Sequence, residues 1–181
     1  MAPHNHHNHG EDPTCAVAHG DVPLAADGRT LVAVYASPVG RYLLHFGRDA
    51  GYRTVLLEPD PARVTDSDRE LAGRVITAAE TGALDGDVDV VLTDHHRELL
   101  GELLRDILSG KPRWIGLMGN PRHEGPHVAA LRELGVPDEE IARVHRPIGL
   151  NIGSRTPPEI AIATLAGLIA DRNERPGGFS F

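Results

Sequence analysis

The sequence predicts an α/β fold: a Rossmann-like, doubly wound, mostly parallel sheet with helices on both faces. Three observations predict it. Apolar runs of strand length recur at residues 31–36, 54–57, 87–93 and 114–118. Helical periodicity fills most of the intervals between them. The runs are continuously apolar rather than alternating, as strands of a parallel sheet covered on both faces are.

Each element has a local reason. After the first strand, Ser37 is a good N-cap and Pro38 suits the first helical position. Leu43, Leu44, Phe46 and Ala50 then recur at helical spacing, and Gly51 closes that helix. The second strand ends at Glu58, where Pro59 and Pro61 stop it. Residues 62–87 are ambiguous, with a short strand suggested at 75–77. The third clear strand, 87–93, leads to a helix over 98–108, and the strand at 114–118 ends in Gly119. Helices are expected around 128–134 and 138–144. A last helix starts at Thr156-Pro157-Pro158-Glu159, which has capping-box spacing, and runs to about Asp171.

Composition narrows the function. Lys+Arg 18 against Asp+Glu 26 leaves a net charge of -8, so a broad grip on a nucleic-acid backbone is not expected. Cys15 is the single cysteine, which excludes an internal disulfide framework and a four-thiolate zinc site. The longest apolar run, 160–169, is about half of a membrane span. With no signal-peptide pattern either, the expectation is a soluble cytoplasmic protein without a membrane partner.

Three segments are expected. Residues 1–28 form a His-rich tail, disordered in the metal-free chain; 29–173 form the Rossmann-like domain; 174–181 fray. His4, His6, His7 and His9, with Cys15 and His19 beyond, offer ligands suited to nickel, copper or zinc. The other reading of the tail is a neutral, soluble extension.

The stretch from Trp114 to Arg172 resembles the C-terminal Rossmann domain of the XdhC/CoxI family, accessory proteins that mature molybdenum hydroxylases. Ile115-Gly116-Leu117-Met118-Gly119 and Leu134-Gly135-Val136-Pro137 match, and the long run from His145 to Ala161, with Asn151-Ile152-Gly153-Ser154-Arg155 at its centre, matches best. The resemblance implies binding of a molybdopterin-type cofactor or a nucleotide. It also implies a molybdenum hydroxylase or dehydrogenase as client, and a separate protein supplying the family's N-terminal domain. A homodimer is among the assemblies it allows. The chain departs from the family's G-x-G-x-V-G turn, where Tyr35-Ala36-Ser37-Pro38-Val39-Gly40 keeps the third glycine alone. A Cβ at Ser37 obstructs the approach of a pyrophosphate and argues against ordinary NAD binding.

Candidate cofactor-binding residues lie where the strands end. They are Ser37, Val39 and Gly40 at the first helix start, Glu58 as a ribose-binding acid, Thr93, Asp94 and His95 after the third clear strand, Gly119, Asn120 and Arg122 after the next, and Asn151 and Arg155 in the family motif. Each has a structural alternative: a loop acid at Glu58, a helix cap at Asp94, an arginine tying helix ends at Arg155. His45 reads as a core-edge histidine. No nucleophile-and-base set and no Walker loop is visible, so an independent enzyme is not expected. The competing functions are a metallochaperone using the tail and a degenerate NAD-dependent oxidoreductase.

Overall fold

A computed structural model describes residues 17–19, 28–79, 84–119 and 125–178. Six strands, β1 (Thr30–Val34), β2 (Arg53–Leu57), β3 (Arg74–Ile76), β4 (Gly86–Leu92), β5 (Pro112–Leu117) and β6 (Val144–His145), form one parallel sheet in the order β3-β2-β1-β4-β5-β6. The helices are α1 (Pro38–Asp49), α2 (Asp66–Leu71), α3 (Leu100–Ser109), α4 (Pro126–Glu133), α5 (Asp138–Ile141) and α6 (Pro157–Arg172). This strand order reverses direction between β1 and β4, which opens a crevice beyond their carboxyl ends.

The pleat of β1 divides the core. Leu31 and Ala33 pack with Leu43 and Leu44 of α1 and with Ala161, Leu165 and Leu168 of α6. Val32 and Val34 face the opposite layer, with Leu104 and Ile107 of α3 and Leu131 of α4. Each fully buried Leu or Val contributes roughly 1.5–3 kcal/mol. Both faces are therefore covered, as the unbroken apolar runs predict. Among the described residues, no helix is long and apolar enough to cross a membrane.

The ambiguous stretch contains a 3-10 turn (Pro61–Arg63), α2 and β3. Thr65 and Asp68 form a capping box at α2, and Arg41 of α1 donates to Asp68 at 2.8 Å. Two expectations are corrected. The helix expected over 138–144 is shorter: α5 stops at Ile141, and Val144, with His145, pairs with Ile115 and Gly116 as an edge strand. Pro147 restricts Arg146 to extended backbone, and Val144 gains burial against the sheet. The helix expected from 98 begins at Leu100, because the Asp94 carboxylate instead accepts from the His96 amide and the Arg97 guanidinium, both at 2.9 Å. That Asx-type turn lengthens the loop, which ends with Leu99 at φ 61.

The long family motif serves as a clasp. Gly149 adopts φ 87, and a Cβ there would meet the Ala163 backbone of α6 at 3.0 Å. From the other side, a Cβ on Gly167 would lie 2.9 Å from the Gly149 Cα. The Leu150 amide donates to the Ala163 carbonyl at 2.9 Å. Two glycines let loop and helix touch backbone to backbone.

Candidate functional site

At the reversal point, β1 and β4 are tied through hydroxyls. Ser37 Oγ lies 2.8 Å from Thr93 Oγ1, which in turn donates to the Val34 carbonyl at 2.9 Å. Ser37 Oγ also accepts the Gly40 amide at 2.9 Å. Pro38 has no N–H to offer. Of the first three positions of α1, only Val39 is left with an amide for an outside anion. Gly40 is closely packed: a Cβ would sit 3.1 Å from the Tyr35 carbonyl. The usual phosphate seat of a Rossmann turn is thus occupied by the protein's own cap.

Tyr35 takes the place of the first glycine of the turn and keeps the left-handed backbone that a glycine would adopt, at φ 73. For a non-glycine residue that conformation costs roughly 1–2 kcal/mol. The side chain is only 3% exposed, and its hydroxyl has no hydrogen-bond partner. Burial raises the phenol pKa to about 12, with the Arg97 guanidinium opposing and the Glu58 carboxylate adding to the rise. It stays protonated, and so a donor, at every ordinary pH.

Arg97 lies over the Tyr35 ring, 5.0 Å from its centroid. Its guanidinium reaches Asp94 at 2.9 Å and Glu58 at 3.6 Å. Glu58 is 1% exposed and accepts the Ala36 amide at 2.8 Å and the Asp60 amide at 3.1 Å. The acid expected to bind a ribose therefore fastens the β1 and β2 turns instead. These residues floor a cleft of about 670 Å³, walled by Thr77 and Ala78 after β3 and by Leu103 of α3. Asp60, Glu98, Glu102 and Asp106 make its lining acidic.

On the other side of the reversal point lie His95, Gly119, His127 and Arg146. The His95 and His96 rings stand 4.0 Å apart. Burial, then His96 and Arg146, hold the His95 pKa below the usual imidazole value. The same burial and the same arginine lower that of His127. Both rings are neutral at pH 7, and neutral imidazole offers one donor and one acceptor.

The structure thus brings Ser37, Gly40, Glu58, Thr93, Asp94 and His95 together around the reversal point. Val39 packs into the α1–α6 core, and Gly119 lies under the Arg146 guanidinium. Asn151 and Arg155 are exposed, and neither lines the cleft. The Arg155 amide donates to Glu159 as part of the α6 cap. Asn120 and Arg122 lie outside the described residues, as do His4, His6, His7, His9 and Cys15. His19 is exposed, and no group of three metal ligands occurs among the described residues. His45 is half-buried and 3.7 Å from Asp49.

Sequence reasoning missed Tyr35, Arg97, His127 and Arg146. Tyr35 carried a signal, standing where glycine is expected, and Arg146 lies inside the 145–161 run; Arg97 and His127 carried none, because only the fold brings them to the strand ends.

Residues 31–168 match the model of the XdhC Rossmann domain. The chain belongs to the XdhC Rossmann-domain family. An Escherichia coli relative, an uncharacterized protein called YqeB, is 39% identical over 94 residues, covering 52% of this chain and 17% of its own length. A probable xanthine dehydrogenase subunit from Bacillus subtilis is 26% identical over 148 residues, covering 78% of this chain and 42% of that protein. A crystal structure described as a xanthine dehydrogenase from Bacillus halodurans superposes with a TM-score of 0.66 at 24% identity, covering 81% of this chain and 45% of the other. At that identity the likeness speaks for the fold. The chain spans less than half the length of each of these proteins. In this chain the first turn is a capped, hydroxyl-tied corner, with Ser37 bonded to Gly40 and Thr93.

Proposed function

We propose that this XdhC-type domain acts as an accessory to a xanthine dehydrogenase-type molybdenum enzyme, holding a pterin cofactor or nucleotide with its flat ring in the cleft over Tyr35. The observation that carries this reading is the Tyr35 hydroxyl, buried and unpartnered on the floor of a cleft of about 670 Å³. An unsatisfied buried hydroxyl costs about 1–3 kcal/mol, and a ligand acceptor would satisfy it. The lining suits a nitrogen heterocycle: Leu103 and Ala78 supply apolar walls, while Glu98, Glu102 and Asp106 can accept from ring N–H and amino groups. A molybdopterin-type group fits these donors and acceptors, and when bound it supplies the metal-binding dithiolene that a client enzyme needs. This chain's residues bind and orient; Tyr35 donates, Arg97 lies over the Tyr35 ring, and Glu58 keeps both in place. The match to the Bacillus subtilis protein named as a probable xanthine dehydrogenase component supports a dehydrogenase client.

Native mass spectrometry on protein from a host that makes molybdenum cofactor tests this. The expected result is a mass increment matching a pterin cofactor or nucleotide, lost in Ala78→Trp, which fills the cleft from an exposed position, and reduced in Tyr35→Phe. No increment, or one undiminished in Ala78→Trp, overturns it.

A further inference from the structure

Helix α6 is apolar on every side. From Ile160 to Ala170 it carries no charged side chain, and its one polar residue there, Thr164, is buried. The other long helices turn charge outward: Arg48 and Asp49 are exposed on α1, and Glu102, Arg105 and Asp106 on α3. A helix that is apolar all round belongs where every side is covered. The sheet, α1 and the Gly149 clasp cover only part of α6. Ile162, Ala166, Ile169 and Asn173, spaced by four, three and four residues, form its outward row, and Ile162 is 50% exposed. Tyr42 of α1, 41% exposed, and Pro158 extend the apolar surface across the groove between the two helices.

We propose that this face pairs with the same face of a second copy of the chain, the two α6 helices crossing antiparallel at Ala166. The row favours a second copy because it is its own complement. Counted outward from Ala166, Ile162 falls opposite the second copy's Ala170, a large side chain against a small one, and Glu159 falls opposite the second copy's Asn173. A two-fold interface has this property: where residue i meets j, j meets i. Ala166 at the crossing lets the helix axes approach to about 8 Å.

Charge selects the antiparallel direction. The start of α6 is flanked by Arg155 and Glu159, and its end by Glu174 and Arg175. All four are exposed, and none is in an ion pair among the described residues, whereas Asp171 and Arg172 pair with Arg113 and Asp87. An antiparallel copy brings Arg155 to the Glu174 end and Glu159 to the Arg175 end, while a parallel one sets like charges side by side. No residue lining the cleft over Tyr35 belongs to α6, so each copy keeps its cleft open.

Sedimentation equilibrium of the full chain tests the pairing, and at micromolar concentration should give a species of twice the 19.5 kDa chain mass. Ile162→Arg, a change at an exposed position, should weaken association at least about thirtyfold. Arg155→Glu should weaken it about threefold, and adding Glu174→Arg should restore it. In a Cys15→Ser background, Ala166→Cys should form a disulfide-linked dimer on oxidation. Asn173→Cys should not, since its two copies lie about 20 Å apart when the helices cross antiparallel at Ala166. A monomer at every concentration, association unchanged in Ile162→Arg, a double variant no tighter than Arg155→Glu alone, or cross-linking through Asn173→Cys overturns the proposal. A monomer in which deleting residues 1–16 speeds amide exchange along 159–173 also overturns it, and gives the face to the chain's own tail.

Discussion

Tyr35 concentrates the conflict between stability and binding in one residue. Its backbone holds a left-handed conformation and its hydroxyl is buried without a partner, and both features cost folding energy. Strain of this kind persists where the surroundings over-determine it and is concentrated at binding sites. Removing the hydroxyl should therefore stabilise the protein: Tyr35→Phe is expected to gain about 1 kcal/mol, seen as a higher melting temperature. A variant less stable than the wild type would mean the hydroxyl already has a partner in the free protein. Glu58 shows the reverse arrangement, since each of its carboxylate oxygens accepts a backbone amide. From the sequence, Glu58 was legible as a strand-end acid but not as a knot, because its partners at Ala36 and Arg97 come from other elements.

At the scale of elements, short segments are held by caps and by neighbours. The helix α2 has six residues, too short to stand alone, and its capping box joins it to α1 through Arg41. Burial pulls the Asp68 pKa up, but hydrogen bonds from Thr65 and Arg41 outweigh it and hold the value below the ordinary 3.8. A carboxyl with a lowered native pKa stabilises the fold above its unfolded value and loses that contribution as the pH falls through the native one. Urea unfolding of the wild type and Asp68→Asn should therefore differ most above about pH 5 and converge as the pH drops below about 4. A gap that widens on acidification would contradict the assignment. The sequence made α1 and α6 legible through Ser37-Pro38 and Thr156-Pro157-Pro158-Glu159, since a cap is a local interaction. It did not make β6 legible, because two residues carry no periodicity and the strand exists through its ladder to β5.

At the scale of the molecule, the end of the sheet opposite the crevice is locked by charge. Asp89 is completely buried and accepts from Arg113 at 2.6 Å and from Arg172 at 2.5 Å. Arg172 also reaches Asp87 at 2.8 Å, and Arg113 reaches Asp171 at 2.7 Å. The last turn of α6 is thereby fastened to β4 and β5. Asp89→Ala removes the buried carboxylate between two guanidinium groups, leaving each with its outer partner, Asp87 or Asp171, and should cost about 3 kcal/mol in urea unfolding, with the denaturant slope unchanged. A loss below about 1 kcal/mol would mean that Asp87 and Asp171 alone suffice to hold both arginines.

The sequence by itself determined the α/β class, the parallel sheet and the family, because continuous apolar runs, caps and the 145–161 motif are local features. It also determined which strand ends hold polar groups, but not the strand order, so the reversal point between β1 and β4 came only from the fold. Tertiary structure decided what those groups do. Ser37 spends its hydroxyl on Gly40 and Thr93, Glu58 is consumed by amides and Arg97, and the family motif turns out to be a glycine clasp on α6 rather than part of the cleft. Tyr35 became a candidate only when the fold placed it, with its hydroxyl unpartnered, beside the cleft at the carboxyl end of β1. The physical reason is range: a cap or an apolar period is set within a turn or two of chain. Whether a hydroxyl or an imidazole is satisfied or left available depends on partners tens of residues away.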